Sequence, residues 1–110
     1  MELNLKGKKA LVTGSSSGIG EGIAKCLARE GVHVMVHGRK KQELQRVVQE
    51  ITANGGVAHF IEGDLTDDDE AKRIAEKTVQ TFQRLDILVN NAGAFPMEGD
   101  RKKSYARNAT

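Results

Sequence analysis

Ala10-Leu11-Val12-Thr13-Gly14-Ser15-Ser16-Ser17-Gly18-Ile19-Gly20 is the stretch that decides the fold. A short apolar run passes through three glycines and emerges as a helix-period stripe of Ile19, Ile23, Ala24, Leu27 and Ala28, which Gly31 closes. Gly14 allows a turn with unusual dihedrals. Gly18 lets backbone N–H groups approach a pyrophosphate, and Gly20 lets the helix pack close to the strand. The spacing is Gly-x-x-x-Gly-x-Gly rather than the commoner Gly-x-Gly-x-x-Gly, but a glycine loop between strand and helix is the setting a dinucleotide site requires.

The rest of the chain repeats this alternation. Lys9–Thr13 reads as the first strand and His33–His37 as the second, with Leu44, Val47, Val48 and Ile51 at helix spacing before Asn54-Gly55-Gly56. Val57–Ile61 is a third strand, Ala71, Ile74, Ala75, Thr78 and Phe82 mark a third helix, and Asp86–Val89 is a fourth strand. The order βαβαβαβ with nearly unbroken apolar strands predicts a parallel sheet buried on both faces. Right-handed crossovers place the first two helices on one face and the third on the other. The expected strand order is 3-2-1-4, with a ligand at the carboxyl ends of strands 1 and 4.

Composition bounds the alternatives. One core fits 110 residues. Aromatics are 4% with no Trp, so the core is aliphatic, and 38% apolar with 29% charged residues is ordinary for an α/β domain. No run approaches a membrane span, Met1-Glu2-Leu3-Asn4 lacks a signal-peptide pattern, and the single Cys26 excludes an internal disulfide. A cytoplasmic setting is expected. The net charge of +2 is uneven, because the last ten residues carry Arg101, Lys102, Lys103 and Arg107 and no acid. Four charges are too few to imply nucleic-acid binding, so 98–110 is expected to be an unpatterned basic tail after a nucleotide-binding unit at 1–97.

Three ordered motifs carry a resemblance. Thr13-Gly14-x-x-x-Gly18-Ile19-Gly20, Gly63-Asp64-Leu65-Thr66 and Asn90-Asn91-Ala92-Gly93 fall at successive strand ends. Over roughly residues 5–97 the chain resembles the short-chain dehydrogenase/reductase family, most nearly its 3-oxoacyl-carrier-protein-reductase-type members. The resemblance implies a three-layer Rossmann-type doubly wound sheet, here cut off after strand 4, and hydride transfer between a nicotinamide cofactor and a carbonyl/alcohol pair. It also implies that Gly14, Ser16, Ser17, Gly18 and Ile19 wrap the pyrophosphate and adenosine ribose, backed by Gly20. Asp64 would meet the adenine amino group beside the Leu65 backbone, and Asn90, Asn91, Ala92 and Gly93 would line the floor toward the nicotinamide. Asp64 also has a simpler reading as a loop-capping carboxylate.

Cofactor choice is read at the end of strand 2. Gly38 is followed by Arg39, Lys40 and Lys41, where an acid would bind the ribose 2′-hydroxyl of NAD(H). A guanidinium suits a 2′-phosphate through paired charge-assisted bonds, so NADP(H) is expected over NAD(H). Cations at a helix N-terminus are otherwise unfavourable.

The family's chemistry needs a tyrosine with a lysine four residues on, and a serine. The only tyrosine is Tyr105 and position 109 is Ala, so no catalytic residue is assigned. The chain is expected to bind cofactor at most, with two alternatives: a non-catalytic nucleotide-binding module that pairs with another chain through strand 4, or an inactive truncated remnant. The exposed strand 4 would favour self-association. His33 and His37 lie about 13 Å apart along a strand, too far to share a metal. Asp67-Asp68-Asp69-Glu70 reads as a helix N-terminus rather than an ion site, and Cys26 as a packing residue.

Overall fold

The computed structural model describes residues 4–92; Gly93 and the segment 98–110 lie outside the described residues. Four strands, β1 (Lys9–Val12), β2 (His33–Gly38), β3 (Val57–Glu62) and β4 (Ile87–Val89), form one sheet in the order β3-β2-β1-β4. All pairings are parallel, in registers that set Val12 opposite Val36 on one side and Val89 on the other. The helices α1 (Gly18–Arg29), α2 (Lys41–Ala53) and α3 (Asp68–Phe82) are the crossovers.

Strand periodicity divides the core in two. Ala10, Val12, Val34, Val36 and Ala58 turn to the face that α1 and α2 cover with Ala24, Ala28, Leu44, Val47 and Ile51. Leu11, Met35 and Ile61 turn to the other face, against Ala71, Ile74 and Phe82 of α3. Two helices on one face and one on the other is the expected three-layer arrangement. β4 pairs with β1 alone among the described residues.

The acidic run before α3 is a cap. Asp67 accepts hydrogen bonds from the backbone N–H groups of Asp69 (2.9 Å) and Glu70 (3.4 Å), and Asp68, Asp69 and Glu70 occupy the first turn, where the helix dipole favours negative charge. No group of three metal-ligating side chains occurs among the described residues.

Two expectations about α1 are corrected. Cys26 is exposed. It stands two residues from both Ala24 and Ala28, about 200° around the helix from each, so it faces away from the sheet. Ile19 is 75% exposed rather than part of the apolar stripe. It sits in the first turn, which at Gly20 packs against Gly14 of the loop that follows β1.

Candidate functional site

The loop from Thr13 to Ser17 leaves the carboxyl end of β1 and is held by hydrogen bonds on all sides. Thr13 extends the ladder, its N–H donating to the Val89 carbonyl at 3.0 Å. Ser15 is fully buried; its hydroxyl donates to the Val12 carbonyl (2.7 Å), and its N–H donates to the His37 carbonyl (2.7 Å). The Ser15 hydroxyl in turn accepts the His37 N–H at 2.9 Å. The Gly14 carbonyl accepts from Asn91 Nδ2 at 3.1 Å, and Thr13 Oγ1 accepts the Ala92 N–H at 3.1 Å.

The glycines answer to this geometry. Gly18 adopts φ +58°, and a Cβ built there meets nothing within 4 Å, so the requirement is conformational. A Cβ on Gly20 would stand 2.1 Å from the Gly14 carbonyl oxygen and 2.7 Å from Asn91 Nδ2, so only glycine allows α1 to come this close.

At the start of α1, Ser17 occupies the N-cap position without a side-chain capping bond. The first-turn N–H groups of a helix have no partner within it, and they carry the positive end of its dipole. They are therefore placed to receive an anion.

Beside this helix end opens a cleft of about 610 Å³, whose lining includes Gly14, Ser16, Ser17, Gly38, Arg39, Asp64, Leu65 and Ala92. It lies where the strand order reverses between β1 and its neighbours β2 and β4, at the carboxyl ends, the position at which doubly wound sheets bind ligands. Arg39 is 72% exposed in its side chain, and its Nη1 stands 3.6 Å from Asp64 Oδ2. Asp64 Oδ1 accepts the Thr66 N–H (2.9 Å) and hydroxyl (2.7 Å), which lower the carboxyl pKa, with a smaller contribution from Arg39. The loop-capping reading of Asp64 is thus realised in the structure, with one oxygen left toward Arg39. Leu65 belongs to the core on the α3 face and is also part of the cleft lining. Asn90 is 1% exposed and bonded through Oδ1 to the Thr13 hydroxyl at 3.3 Å, so its side chain lies beneath the site. Asn91 reaches the loop through Gly14, and Ala92 is exposed beside it.

Three residues given no role in the sequence reading complete the site. Ser15 stitches the loop to β2. His37, 3% exposed, accepts the Gly14 N–H at Nδ1 (3.1 Å) and bonds the Gly63 carbonyl through Nε2 (2.9 Å). Arg46 of α2 donates to the Ser16 carbonyl (3.2 Å) while pairing with Glu21 of α1 (2.9 Å). Lys25 also bonds Glu21 at 2.7 Å, and the two cations, Arg46 first, lower the Glu21 carboxyl to about 2. The one sequence signal for His37 is its place at the end of the second strand, just before Gly38; its partners lie 23 and 26 residues away and are invisible to local pattern.

A strand, a bonded glycine loop and an uncapped helix start at the switch point of a parallel sheet define a Rossmann-type fold. A family model described as short chain dehydrogenase matches residues 8–108. An uncharacterized oxidoreductase of Methylorubrum extorquens is 46% identical over 92 residues, 83% of this chain and 37% of the relative. A 3-oxoacyl-[acyl-carrier-protein] reductase of Staphylococcus aureus is 46% identical over 87 residues, 78% of this chain and 35% of its own. The crystal structure of a metagenomic short-chain oxidoreductase in complex with NADP superposes with a TM-score of 0.78 at 40% identity, covering 83% of this chain and 41% of that one. The chain belongs to the short-chain dehydrogenase family, and it spans a little over a third of the length of the curated relatives it matches.

Proposed function

We propose that this chain binds NADP(H) in the cleft at the carboxyl ends of β1, β2 and β3, as the nucleotide-binding part of an oxidoreductase acting on a carbonyl/alcohol pair. The observation that carries the reading is that Arg39 and Ser17, the N-cap residue of the uncapped α1, line one cleft. The N–H groups about Gly18 and Ile19, with Gly14, Ser16 and Ser17, take the pyrophosphate and the adjoining ribose. Arg39 leaves Asp64 for the 2′-phosphate, a dianion that outcompetes a single exposed carboxylate for a guanidinium. Asp64 and the Leu65 backbone then meet the adenine, while Asn91, Ala92 and Gly93 flank the path toward the nicotinamide, with Asn90 supporting them from below. The nicotinamide supplies hydride chemistry when bound; this chain's own residues bind and orient it. With Tyr105 followed by Ala109, cofactor binding rather than turnover is the contribution assigned to these 110 residues.

Calorimetric titration with NADPH and NADH tests this. Hydrogen bonds to a charged group contribute about 1.5–3 kcal/mol, so Arg39→Ala is expected to weaken NADPH roughly 10- to 150-fold and leave NADH within about twofold. Equal binding of both cofactors by the wild type, or indifference of NADPH to Arg39→Ala, would overturn the assignment.

A further inference from the structure

We propose that His37 is a positioning residue for this site: its neutral imidazole braces the glycine loop against the β3–α3 loop, and taking up a proton forces it to release Gly14 and weakens dinucleotide binding. The inference rests on the reading of the cleft as a dinucleotide site and adds a residue and a pH dependence to it.

The ring lies between two walls of the cleft. Gly14 and Gly63 both line it, and His37 bonds one through each ring nitrogen. The partners assign the tautomer. The Gly14 N–H is a donor, so Nδ1 is the bare nitrogen and accepts it; the Gly63 carbonyl is an acceptor, so Nε2 carries the proton and donates. Both ring nitrogens are satisfied with no charge on the ring, and burial at 3% exposure favours that state.

A second proton has one place to go, Nδ1. There two N–H donors would face each other across 3.1 Å, and one must withdraw. Gly14 cannot yield without disturbing the loop, because its carbonyl is bonded to Asn91 and it adopts φ +62°. The charged groups acting on the ring are Arg39 at the end of its own strand, Arg73 from α3 and Asp64 from the loop after β3. The two arginines oppose protonation and Asp64 favours it, as does the Gly63 carbonyl; burial is the largest influence, and the pKa is lowered. On the β1 side the ring's hydrogen-bond partner is the Gly14 backbone N–H rather than a charge.

His37 also grips Ser15 with its own N–H and C=O, contacts any residue could make. The ring's contribution is therefore separable from the backbone's. Asn at this position offers an acceptor toward Gly14 and does not titrate, whereas Leu offers nothing.

The sign of the effect discriminates. A bound dinucleotide is an anion, and electrostatics alone would make it bind more tightly to an imidazolium in acid. Bracing predicts the opposite. NADPH and NADH dissociation constants are to be measured by calorimetry from pH 7.5 to 5 on the full chain, for wild type, His37→Asn and His37→Leu, with circular dichroism confirming the fold at each pH. NADH lacks the 2′-phosphate, so its profile is free of that group's titration. Wild-type affinity for NADH is expected to fall progressively from pH 7.5 toward pH 5, and that of His37→Asn to stay flat. His37→Leu is expected to bind about tenfold more weakly at pH 7.5, without further loss in acid. Ring ¹⁵N shifts of the wild type at pH 7.5 should show the Nε2–H tautomer, a readout that needs no variant. Parallel NADH profiles for wild type and His37→Asn, tighter binding in acid, or an Nδ1–H ring would overturn the role of His37 while leaving the binding site intact. Binding of neither cofactor by folded wild type at pH 7.5 would overturn the cofactor assignment and this inference with it.

Discussion

Gly20→Ala should damage this fold although alanine is the better helix former. The added Cβ would lie 2.1 Å from the Gly14 oxygen, 2.9 Å from the Gly14 carbonyl carbon and 2.7 Å from Asn91 Nδ2. These are backbone and a hydrogen-bonded amide, not the free end of a flexible side chain, so relief requires moving the loop. Overpacking at such a site costs about 1–3 kcal/mol. Prising Gly14 from Asn91 adds about 1–3 kcal/mol for a carbonyl left without its partner. Alanine's helix propensity offsets about 1 kcal/mol. The net loss is about 1–5 kcal/mol, which for a chain of 110 residues lowers Tm by roughly 5–20 °C. Gly22, two residues along α1 and exposed, is the control, because a Cβ there meets nothing within 4 Å. Gly22→Ala should therefore gain about 0.5–1 kcal/mol from the same propensity term. Urea unfolding of the two variants and wild type, followed by circular dichroism, measures both values. If Gly20→Ala is as stable as wild type, or the two variants shift in the same direction, the close approach of helix and loop is not what demands glycine.

Acid should weaken the fold before any carboxylate titrates. His33 and His37 both have pKa values lowered from 6.5, chiefly by burial, and Lys9 donates to His33 Nδ1 at 2.8 Å. The folded state thus binds fewer protons than the unfolded chain, so stability falls as pH drops below about 6.5 toward the depressed folded values; a urea midpoint unchanged between pH 7.5 and 5.5 would contradict this. Glu21→Gln should cost about 1 kcal/mol at pH 7, a modest figure because Lys25 and Arg46 are 30% and 39% exposed. The difference between Glu21→Gln and wild type should shrink in 1 M salt, and in wild type the contribution is present above pH 4.5 and disappears as pH falls toward 2. Salt-independent unfolding midpoints for the pair would show that the α1–α2 ion pairs contribute through packing instead.

Most of the architecture was legible in the sequence because its causes are local. Ala10-Leu11-Val12 and Val34-Met35-Val36 are buried on both faces, so they appear as unbroken apolar runs, and βα alternation with right-handed crossovers then narrows the topology to a few, the Rossmann-type order among them. Ile19 and Cys26 were misread for a geometric reason. A helical stripe inferred from spacing has no knowledge of where the sheet beneath it ends, or of which side of Ile23 the helix turns toward it. The contacts of His37, Ser15 and Arg46 were hidden for a different reason. Each depends on loop atoms brought near by the fold, and a histidine in an apolar strand reads equally as packing or as a ligand until its two nitrogens are given partners.

The distribution of hydrogen bonds around the glycine loop explains why it suits an anion. Neighbouring elements engage four of the loop's backbone groups: β2 takes the N–H groups of Gly14 and Ser15, Arg46 of α2 the carbonyl of Ser16, and Asn91 after β4 the carbonyl of Gly14. The N-cap, by contrast, makes no side-chain bond to the first turn of α1. Had Ser17 or a neighbour capped that turn, the helix would gain about 1 kcal/mol and an incoming phosphate would have to displace the cap. With the helix end open, a phosphate would meet free first-turn N–H groups without displacing a side-chain cap. The same arrangement makes the site vulnerable at its supports rather than at its contacts. Loosening His37 or Arg46 would shift the loop without removing any group proposed to touch the ligand.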